Sequence, residues 1–261
     1  MAYSRVFITG DIHGDYDIAK IDLIQEKIGK ELAADPADKL LLVCGDFGMI
    51  FDARPNDWER KMQAYYHNLY DTTGIKVATC LGNHENYDRI YTGLPVTDWC
   101  GDKIRRTGRD GPGYLVNGGY YTIPMTAGAF TLLAMGGAAS HDYPYRKAHV
   151  SWWPQEIPST AMLLTALQNL KAHGGQVDRI ITHTIPYSMK VKLFDHPFED
   201  SLPNIRTVER QLQVIDDHAR YTQWFAGHHH VDITVPEYQL TLLYNGVVEL
   251  LARPEGKPQK A

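Results

Sequence analysis

A chain of 261 residues with 26 Lys and Arg against 31 Asp and Glu has a formal net charge of −5. That balance gives no electrostatic case for a nucleic-acid or anionic-membrane partner. No apolar run reaches the roughly 18 residues of a transmembrane helix, and no secretory signal follows Met1, so we expect a cytoplasmic protein. The three widely spaced cysteines, Cys44, Cys80 and Cys100, fit reduced thiols in that compartment.

The first half of the chain alternates between apolar runs and helical patterns. Buried strands are predicted at residues 6–9, 40–44 and 75–81. Helices are predicted over residues 15–32 and after Pro55, where Trp58 and Leu69 share one face. Repeated strand, loop and helix units predict a parallel sheet with right-handed crossovers.

The second half of the chain is richer in short strands. Residues 101–119 contain many Gly and Pro and are typical of antiparallel hairpins. Further strands are predicted at residues 129–135, 179–182 and 223–226, and helices at residues 161–173, capped by Ser159, and near 206–220.

Two segments of the second half are predicted from their turns and lack of periodicity. Strands at residues 240–244 and 247–251, joined by Asn245 and Gly246, are expected to form a hairpin. Residues 140–153 are expected to form a loop over the functional site. We expect a single domain over residues 1–252 and a loose tail at residues 253–261.

Polar motifs stand at the ends of these apolar runs. Asp11 and His13 lie two residues apart on an extended segment, so their side chains can reach one point in space. The other motifs are Gly45-Asp46, Gly82-Asn83-His84-Glu85, His183 and Gly227-His228-His229-His230. Strand alternation turns His229 away from the other two histidines.

The residue types in these motifs point to a metal site. Carboxylate, amide and imidazole groups together suit hard divalent or trivalent ions, and mixed ligation of this kind fits manganese, iron, zinc or nickel. The carboxyl ends of parallel strands converge on one crevice, so motifs from distant positions can meet there. Asp46 is the natural bridge between two ions.

In this order the motifs resemble the five motifs of the calcineurin-like metallophosphoesterases, and the resemblance spans nearly the whole chain. Residues 45–48 (Gly-Asp-Phe-Gly) and 151–154 (Ser-Trp-Trp-Pro) resemble a group of small bacterial and phage phosphoesterases. The resemblance implies an α/β fold, a four-layer α/β/β/α sandwich of two mixed sheets flanked by helices. It also implies a dinuclear phosphoester hydrolase, most simply a phosphomonoesterase (phosphatase), in which a hydroxide bridging two metal ions attacks phosphorus.

Site roles follow from the same resemblance. It implies metal ligands at Asp11, His13 and His230 for the first ion, at Asn83, His183 and His228 for the second, and at Asp46 for both. It places His84 beside the leaving group, as a general acid or as a donor to the phosphoryl oxygens.

The chain departs from the better-known Ser/Thr phosphatases at their phosphate-gripping arginines. Phe47 and Gly48 follow Gly45-Asp46 where those enzymes soon have Asp-Arg-Gly, and Leu81 precedes Gly82 where they have Arg. Candidates to replace these arginines are Arg54, Arg89, Arg105 and Arg146.

Other substrate contacts are also open. His141 and Asp142, in the predicted loop, and Arg54 are candidate substrate-binding residues. Asp52 is a candidate for the missing partner that orients His84.

The sequence leaves alternative functions, and simpler roles for the motif residues, open. Asp11 could cap a helix, Asp46 and Asn83 could be turn residues, and His183 could be structural. A phosphodiesterase, nuclease or dinucleoside polyphosphate hydrolase is the alternative activity. A non-catalytic metal-binding scaffold is the alternative from another class, although a full ligand set with His84 favours an enzyme.

Overall fold

A computed structural model of the chain describes residues 2–194 and 207–252. Its strands are β1 (Val6–Thr9), β2 (Lys39–Val43), β3 (Ile75–Thr79), β4 (Val96–Trp99), β5 (Asp102–Arg106), β6 (Gly113–Leu115), β7 (Tyr120–Met125), β8 (Gly128–Met135), β9 (Arg179–Thr182), β10 (Gln223–Ala226), β11 (Ile233–Val235), β12 (Leu240–Leu242) and β13 (Val247–Leu250). Its helices are α1 (Ala19–Ala34), α2 (Asp57–Thr73), α3 (Tyr87–Gly93), α4 (Thr160–Ala172), α5 (Tyr187–Leu193) and α6 (Thr207–His218).

The strands form two mixed sheets. The first has the order β13-β1-β2-β3-β6-β5-β4, and its central strands β1, β2 and β3 are parallel, which confirms the prediction from the first half of the chain. The second has the order β11-β12-β10-β9-β8-β7, with β12, β10, β9 and β8 parallel and antiparallel strands at both edges.

Three apolar cores separate four layers. One core joins the two sheets and includes Leu42 from the first and Phe225 from the second. Another joins the first sheet to α1 and α2. The third joins the second sheet to α4 and α6. Each sheet therefore packs a helical layer on its outer face, and the α/β/β/α sandwich implied by the family resemblance is confirmed.

Helix α4 begins where its cap was predicted, because Ser159 Oγ accepts a hydrogen bond from Met162 N at 3.4 Å. Helix α1 begins at Ala19, four residues later than predicted. The delay has a backbone cause: His13 and Gly14 have φ angles of 46° and 69°, so the chain turns after the Asp11-His13 motif before a helix can start.

The predicted hairpin at residues 240–251 is wrong, because β12 and β13 lie in different sheets. Strand β12 pairs with β10 and β11, whereas β13 pairs antiparallel with β1. The Asp232 carboxylate accepts hydrogen bonds from the backbone N–H groups of Tyr244, Asn245 and Gly246. These hydrogen bonds fix the chain where it crosses from one sheet to the other. Residues 244–246 therefore form a turn although the strands on either side of it do not pair with each other.

Several elements escaped the sequence patterns. The antiparallel pairing predicted for residues 101–119 is present between β5 and β6, but β6 also pairs parallel with β3. The elements without a sequence prediction were β4, β7, β11, α3 and α5. The predicted tail at residues 253–261 lies outside the described residues. Among residues 2–194 and 207–252, no helix combines the length and apolar character needed to cross a bilayer.

Candidate metal centre

The candidate ligands sit at the ends of five parallel strands. Asp11 follows β1, Asp46 follows β2 and Asn83 follows β3 in the first sheet. His183 follows β9, and the His228–His230 segment follows β10, in the second sheet. Since these strands end on the same side of the sandwich, both sheets deliver polar side chains to one crevice.

Asp11 is fully buried and joins two distant parts of the chain. Its Oδ2 lies 3.0 Å from His230 Nε2, and its Oδ1 accepts a hydrogen bond of 3.0 Å from His228 N. Asp11, His13 and His230 can each place one ligand atom within 4.8 Å of the others. That grouping can hold one ion.

Asp46 lies between the two sides of the centre. Its Oδ2 is 3.2 Å from His13 Nε2, and its Oδ1 is 3.2 Å from His183 Nε2. Asn83 Oδ1 in turn lies 3.0 Å from His183 Nε2, and the His228 ring centroid is 4.9 Å from that of His183. Each oxygen of the Asp46 carboxylate thus faces a different group of predicted ligands, as a bridging carboxylate requires.

Two of the histidines are oriented by bonds to their other ring nitrogen. His13 Nδ1 lies 2.7 Å from Asp17 Oδ2, and Asp17 Oδ1 accepts a hydrogen bond from the Tyr244 hydroxyl. His183 Nδ1 lies 2.8 Å from the carbonyl oxygen of Cys44. Partners of this kind fix the ring and leave Nε2 free to ligate. The spacing of four residues between His13 and Asp17 was a signal that the sequence reasoning missed.

The side chain of Asn83 is also oriented by a chain of hydrogen bonds. Its Nδ2 donates to Ser140 Oγ at 3.3 Å, and Ser140 Oγ donates to Glu156 Oε2 at 2.8 Å. Glu156 Oε1 accepts from Ser140 N and from Trp152 Nε1, both at 2.7 Å. The chain of bonds directs the Asn83 carbonyl oxygen towards His183. Ser140 and Glu156 belong to no sequence motif, because they lie in and beside a segment without periodicity.

The backbone is strained at four of the predicted ligands. The φ angles of His13, Asp46, His228 and His230 are 46°, 43°, 65° and 51°, in the left-handed region that side-chain-bearing residues seldom adopt. Such strain concentrates at functional sites.

Glycines of the motifs let these ligands approach the backbone. A β-carbon at Gly45 would overlap the His183 ring, and one at Gly82 would overlap Asp46. Gly45 and Gly82 are therefore required by close packing against the candidate ligands.

Charge is concentrated at the centre. Burial opposes ionisation of Asp46, but the neighbouring His183 and His13 outweigh it and lower the pKa of the carboxyl well below its usual range. Burial likewise opposes charge on His13 and His183, yet Asp46 and the other carboxylates nearby raise the pKa of each imidazole to about 9. Carboxylates that hold protons on two imidazoles can instead hold cations, and cation binding would release those protons.

His84 lies at the outer edge of the centre, beside an open cleft of about 960 Å³. Its ring centroid is 5.4 Å from that of His13, and its backbone N–H donates to Asp46 Oδ1 at 2.8 Å. Burial lowers the pKa of His84, the charges of Arg146 and His13 add to that effect, and Asp46 opposes it. Asp52 lines the same cleft, but its carboxylate accepts a hydrogen bond from Asn56 Nδ2.

Two of the candidate arginines have structural partners. Arg89 is paired with Glu59 at 2.7 Å, and Arg105 Nη1 donates to the carbonyl oxygen of Tyr91. Arg146 differs, because its positive charge acts on His84 while its Nε donates to Asp142 Oδ2 at 2.8 Å. Arg54 and His141 are exposed. The substrate contacts of His141, Asp142 and Arg54 remain predictions.

His229 lies outside the candidate metal centre to which its neighbours His228 and His230 belong. Its ring stacks on Phe194 with centroids 4.5 Å apart, and its Nε2 lies 3.4 Å from Thr184 Oγ1. Burial and the charge of nearby His183 lower the pKa of His228 well below its usual value. A neutral imidazole keeps the lone pair that a ligand needs.

Comparison with known proteins gives a family match over most of the chain. The model of the calcineurin-like phosphoesterase family matches residues 4–232. None of the curated proteins matched the sequence.

Three solved structures have a remote likeness to this chain, each covering 94% of it. They are a Staphylococcus aureus protein assigned as a 5'-nucleotidase (15% identity, TM-score 0.45, 50% of that chain), the sulfate thiohydrolase SoxB of Thermus thermophilus (10%, 0.43, 52%) and GAP50, the anchor in the inner membrane complex of Plasmodium (11%, 0.43, 72%). The present chain spans about half the length of the first two.

Proposed function

The chain belongs to the calcineurin-like phosphoesterase family, and we propose that it is a phosphomonoesterase that uses two metal ions to release phosphate from a small phosphorylated substrate. The observation that carries the proposal is the position of Asp46, whose two carboxylate oxygens lie 3.2 Å from His13 Nε2 and from His183 Nε2. A carboxylate with one oxygen on each side is the arrangement that a pair of ions requires.

The donor set fits such a pair. Asp11, Asp46 and Asn83 offer oxygen, and His13, His183, His228 and His230 offer nitrogen, which is the mixture that hard and borderline ions prefer. In His13 and His183 the Nδ1 atoms already have partners, so Nε2 is the free ligand atom. We propose Asp11, His13 and His230 for one ion, Asn83, His183 and His228 for the other, and Asp46 for both. Manganese is the first ion to test, ahead of iron, zinc and nickel.

The reaction that we propose is hydrolysis without a covalent enzyme intermediate. The water oxygen forms a bond to phosphorus, the bond from phosphorus to the alcohol oxygen breaks, and the proton lost by water is balanced by the proton gained by the alcohol. When bound, the ions supply Lewis acidity, which polarises the phosphoryl group and makes water a better nucleophile. His84, at the cleft side of the centre, donates a hydrogen bond or a proton to the departing oxygen.

Residues around His84 would bind the substrate. Arg146 acts electrostatically on His84, and Asp142 holds its guanidinium, so Arg146 is the arginine that we favour for the phosphoryl oxygens. We keep Arg54 and His141 as candidate contacts nearer solvent, and Asp52 as a candidate partner of His84. A cytoplasmic location is also proposed, supported by the free thiols of Cys44, Cys80 and Cys100.

The test is a substrate panel on protein reconstituted with manganese and assayed for metal content. We expect a phosphomonoester such as p-nitrophenyl phosphate to be hydrolysed faster than bis-p-nitrophenyl phosphate, a diester. His84→Ala should lower kcat by about 10²- to 10⁴-fold without loss of metal. Asp46→Asn should lose both metal and activity. The matched controls are His67→Ala and Asp71→Asn, two exposed positions on α2.

The panel also separates the alternatives. Faster turnover of the diester would indicate a phosphodiesterase or nuclease, and turnover of dinucleoside polyphosphates alone would indicate that class of hydrolase. Folded, metal-loaded protein that is inactive on every phosphoester would contradict the enzyme assignment and support a scaffold.

A further inference from the structure

The cleft beside His84 is walled by aromatic rings. Its volume is about 960 Å³, and Tyr16, Phe51, Trp58 and Tyr244 line it together with His13 and His84. The cleft is continuous with the candidate metal centre, because His13 and His84 belong to both. A substrate whose phosphoryl group reached the centre would therefore lay its remaining atoms against these rings.

Three of the rings are fixed in place. The indole of Trp58 rests against Gly14, where an added β-carbon would overlap it and where φ is 69°. Phe51 stacks near the His84 ring, with an interplanar angle of 29°, and its edge meets Trp153. Tyr244 stacks on His230 at 4.5 Å. Rings that are already held lose little conformational freedom when a flat ligand packs on them.

The fourth ring stands at the mouth of the cleft. Tyr16 is 89% exposed although it lines the cleft. Tyr16 lies in the turn before α1 and lines the cleft, so its ring can cover a ligand that has entered.

The charge of the cleft is acidic. Asp15, Asp17 and Asp52 line it, and no lysine or arginine does so within the described residues. Asp17 is paired with His13 and Tyr244, and Asp52 accepts a hydrogen bond from Asn56 Nδ2. Asp15 and Asp52 are both exposed at the cleft. Carboxylates accept hydrogen bonds from hydroxyl and amino groups and repel further phosphate groups.

We infer that the departing group is a nucleoside, and that the cleft selects nucleoside monophosphates among phosphomonoesters. This inference rests on the proposed function for its chemistry. Stacking of a base between aromatic rings is tolerant of base identity, and the ribose hydroxyls and exocyclic amino groups match the exposed carboxylates. A cleft of this volume is in the range of small-molecule sites and larger than a lone phenyl ring needs.

The acidic lining further predicts the number of phosphates. One phosphoryl group can lie at the metal ions, whereas the additional negative groups of a triphosphate or of a nucleic-acid strand would face Asp15 and Asp52. Adenosine monophosphate should therefore be a better substrate than adenosine triphosphate. Glycerol 3-phosphate has no ring to stack, so it should be a poorer substrate than adenosine monophosphate or an aryl phosphate.

Binding of the nucleoside itself tests the inference without relying on turnover. Calorimetric titration of the manganese-loaded protein with adenosine should show binding that weakens by about 10-fold or more in Trp58→Leu and is retained in Trp58→Phe. Tyr16→Ala should weaken it as well. The control is Tyr145→Ala, since Tyr145 is 93% exposed but does not line the cleft.

Kinetics then give a second readout. Trp58→Leu should raise KM for adenosine monophosphate by about 10-fold and leave KM for glycerol 3-phosphate within about 2-fold. Asp15→Asn should lower the ratio of kcat/KM for adenosine monophosphate to kcat/KM for adenosine triphosphate. Asp71→Asn should leave this ratio unchanged.

Failure of the inference and failure of the proposed function give different results. If monoesters are hydrolysed but adenosine does not bind, or binds equally well to Trp58→Leu, the inference is overturned and the phosphomonoesterase remains. The same holds if a phosphotyrosine peptide outcompetes adenosine monophosphate. If adenosine binds through Trp58 but no phosphoester is cleaved, the nucleoside site stands and the proposed activity is overturned.

Discussion

Gly227 packs so closely against Asp11 that a β-carbon at position 227 would overlap Asp11 Oδ1. The next residue, His228, donates its backbone N–H to the same carboxylate oxygen at 3.0 Å. One strand end of the second sheet therefore rests directly on a candidate ligand from the first. The candidate metal centre and the contact between the two sheets share this pair of residues.

Gly227→Ala should disturb the candidate metal centre and the contact between the two sheets at the same time. The added methyl group must displace Asp11 or the β10 end, and overpacking of a buried site costs about 1–3 kcal/mol of unfolding free energy. We expect that loss of stability in thermal or urea unfolding, together with weaker manganese binding in competition with a chelating dye.

The matched control is Gly93→Ala at the end of α3, where a β-carbon would meet no atom within 4 Å. It should lose neither stability nor manganese affinity, because Ala at an open helical position is tolerated or slightly stabilising. Wild-type manganese affinity in Gly227→Ala would show that the close approach to Asp11 does not matter for the site.

Ser140→Ala should weaken binding of the ion that we propose for Asn83, His183 and His228. Without the hydroxyl, Asn83 Nδ2 loses its acceptor and the amide is free to turn its oxygen away. Loss of such an outer contact lowers metal affinity by about 10- to 100-fold. Titration with manganese should then show one site near wild-type affinity and one weaker site.

Ser188→Ala, at an exposed position on α5, is the control for that experiment. Equal weakening of both sites, or of neither, would mean that Ser140 does not position Asn83.

Glu156 predicts a pH dependence of stability. Burial raises its pKa from the usual 4.5 to about 7, and hydrogen bonds from Ser140 and Trp152 oppose this only in part. Below pH 4.5 the carboxyl is protonated in both the folded and the unfolded chain. Between pH 4.5 and 7 only the unfolded chain gives up the proton, so rising pH favours unfolding. The full effect is about 3 kcal/mol.

The measurement compares the wild type with Glu156→Gln in chelator, so that metal binding does not contribute. The unfolding free energy of the wild type minus that of the variant should fall as pH rises from 4.5 to 7 and be level above that range. A difference that stays constant with pH would contradict a raised pKa at Glu156.

The meeting of the candidate ligands could be predicted because of how the fold is built. Parallel strands place their carboxyl ends together, so Asp46 after β2 and His183 after β9 meet although 137 positions separate them in the sequence. Short motifs with glycine mark those strand ends clearly. The α/β class and the central strands followed from the same apolar runs.

The residues that orient the candidate ligands could not be predicted from the sequence in the same way. Glu156 reaches Asn83 only through Ser140, from a segment whose course is set by tertiary contacts such as those of Asp88 with His149 and Trp153. The failed hairpin has a similar origin. The Asn245-Gly246 signal is local, and Asp232, 13 residues before Asn245, overrides it by binding the turn.

Arg146→Ala should separate phosphate binding from a purely structural role of the 140–153 segment. A hydrogen bond to a charged group is worth about 1.5–3 kcal/mol, so kcat/KM for a phosphomonoester should fall by about 10- to 100-fold. Removal of the guanidinium also removes a positive charge that lowers the pKa of His84, so that pKa should rise. NMR titration of the His84 ring in wild type and variant measures the shift directly.

Arg60→Ala, at an exposed position on α2, is the control and should change neither kcat/KM nor the pKa of His84. A fall in kcat/KM with an unmoved His84 pKa would place Arg146 away from the reacting groups and leave it a structural role through Asp142.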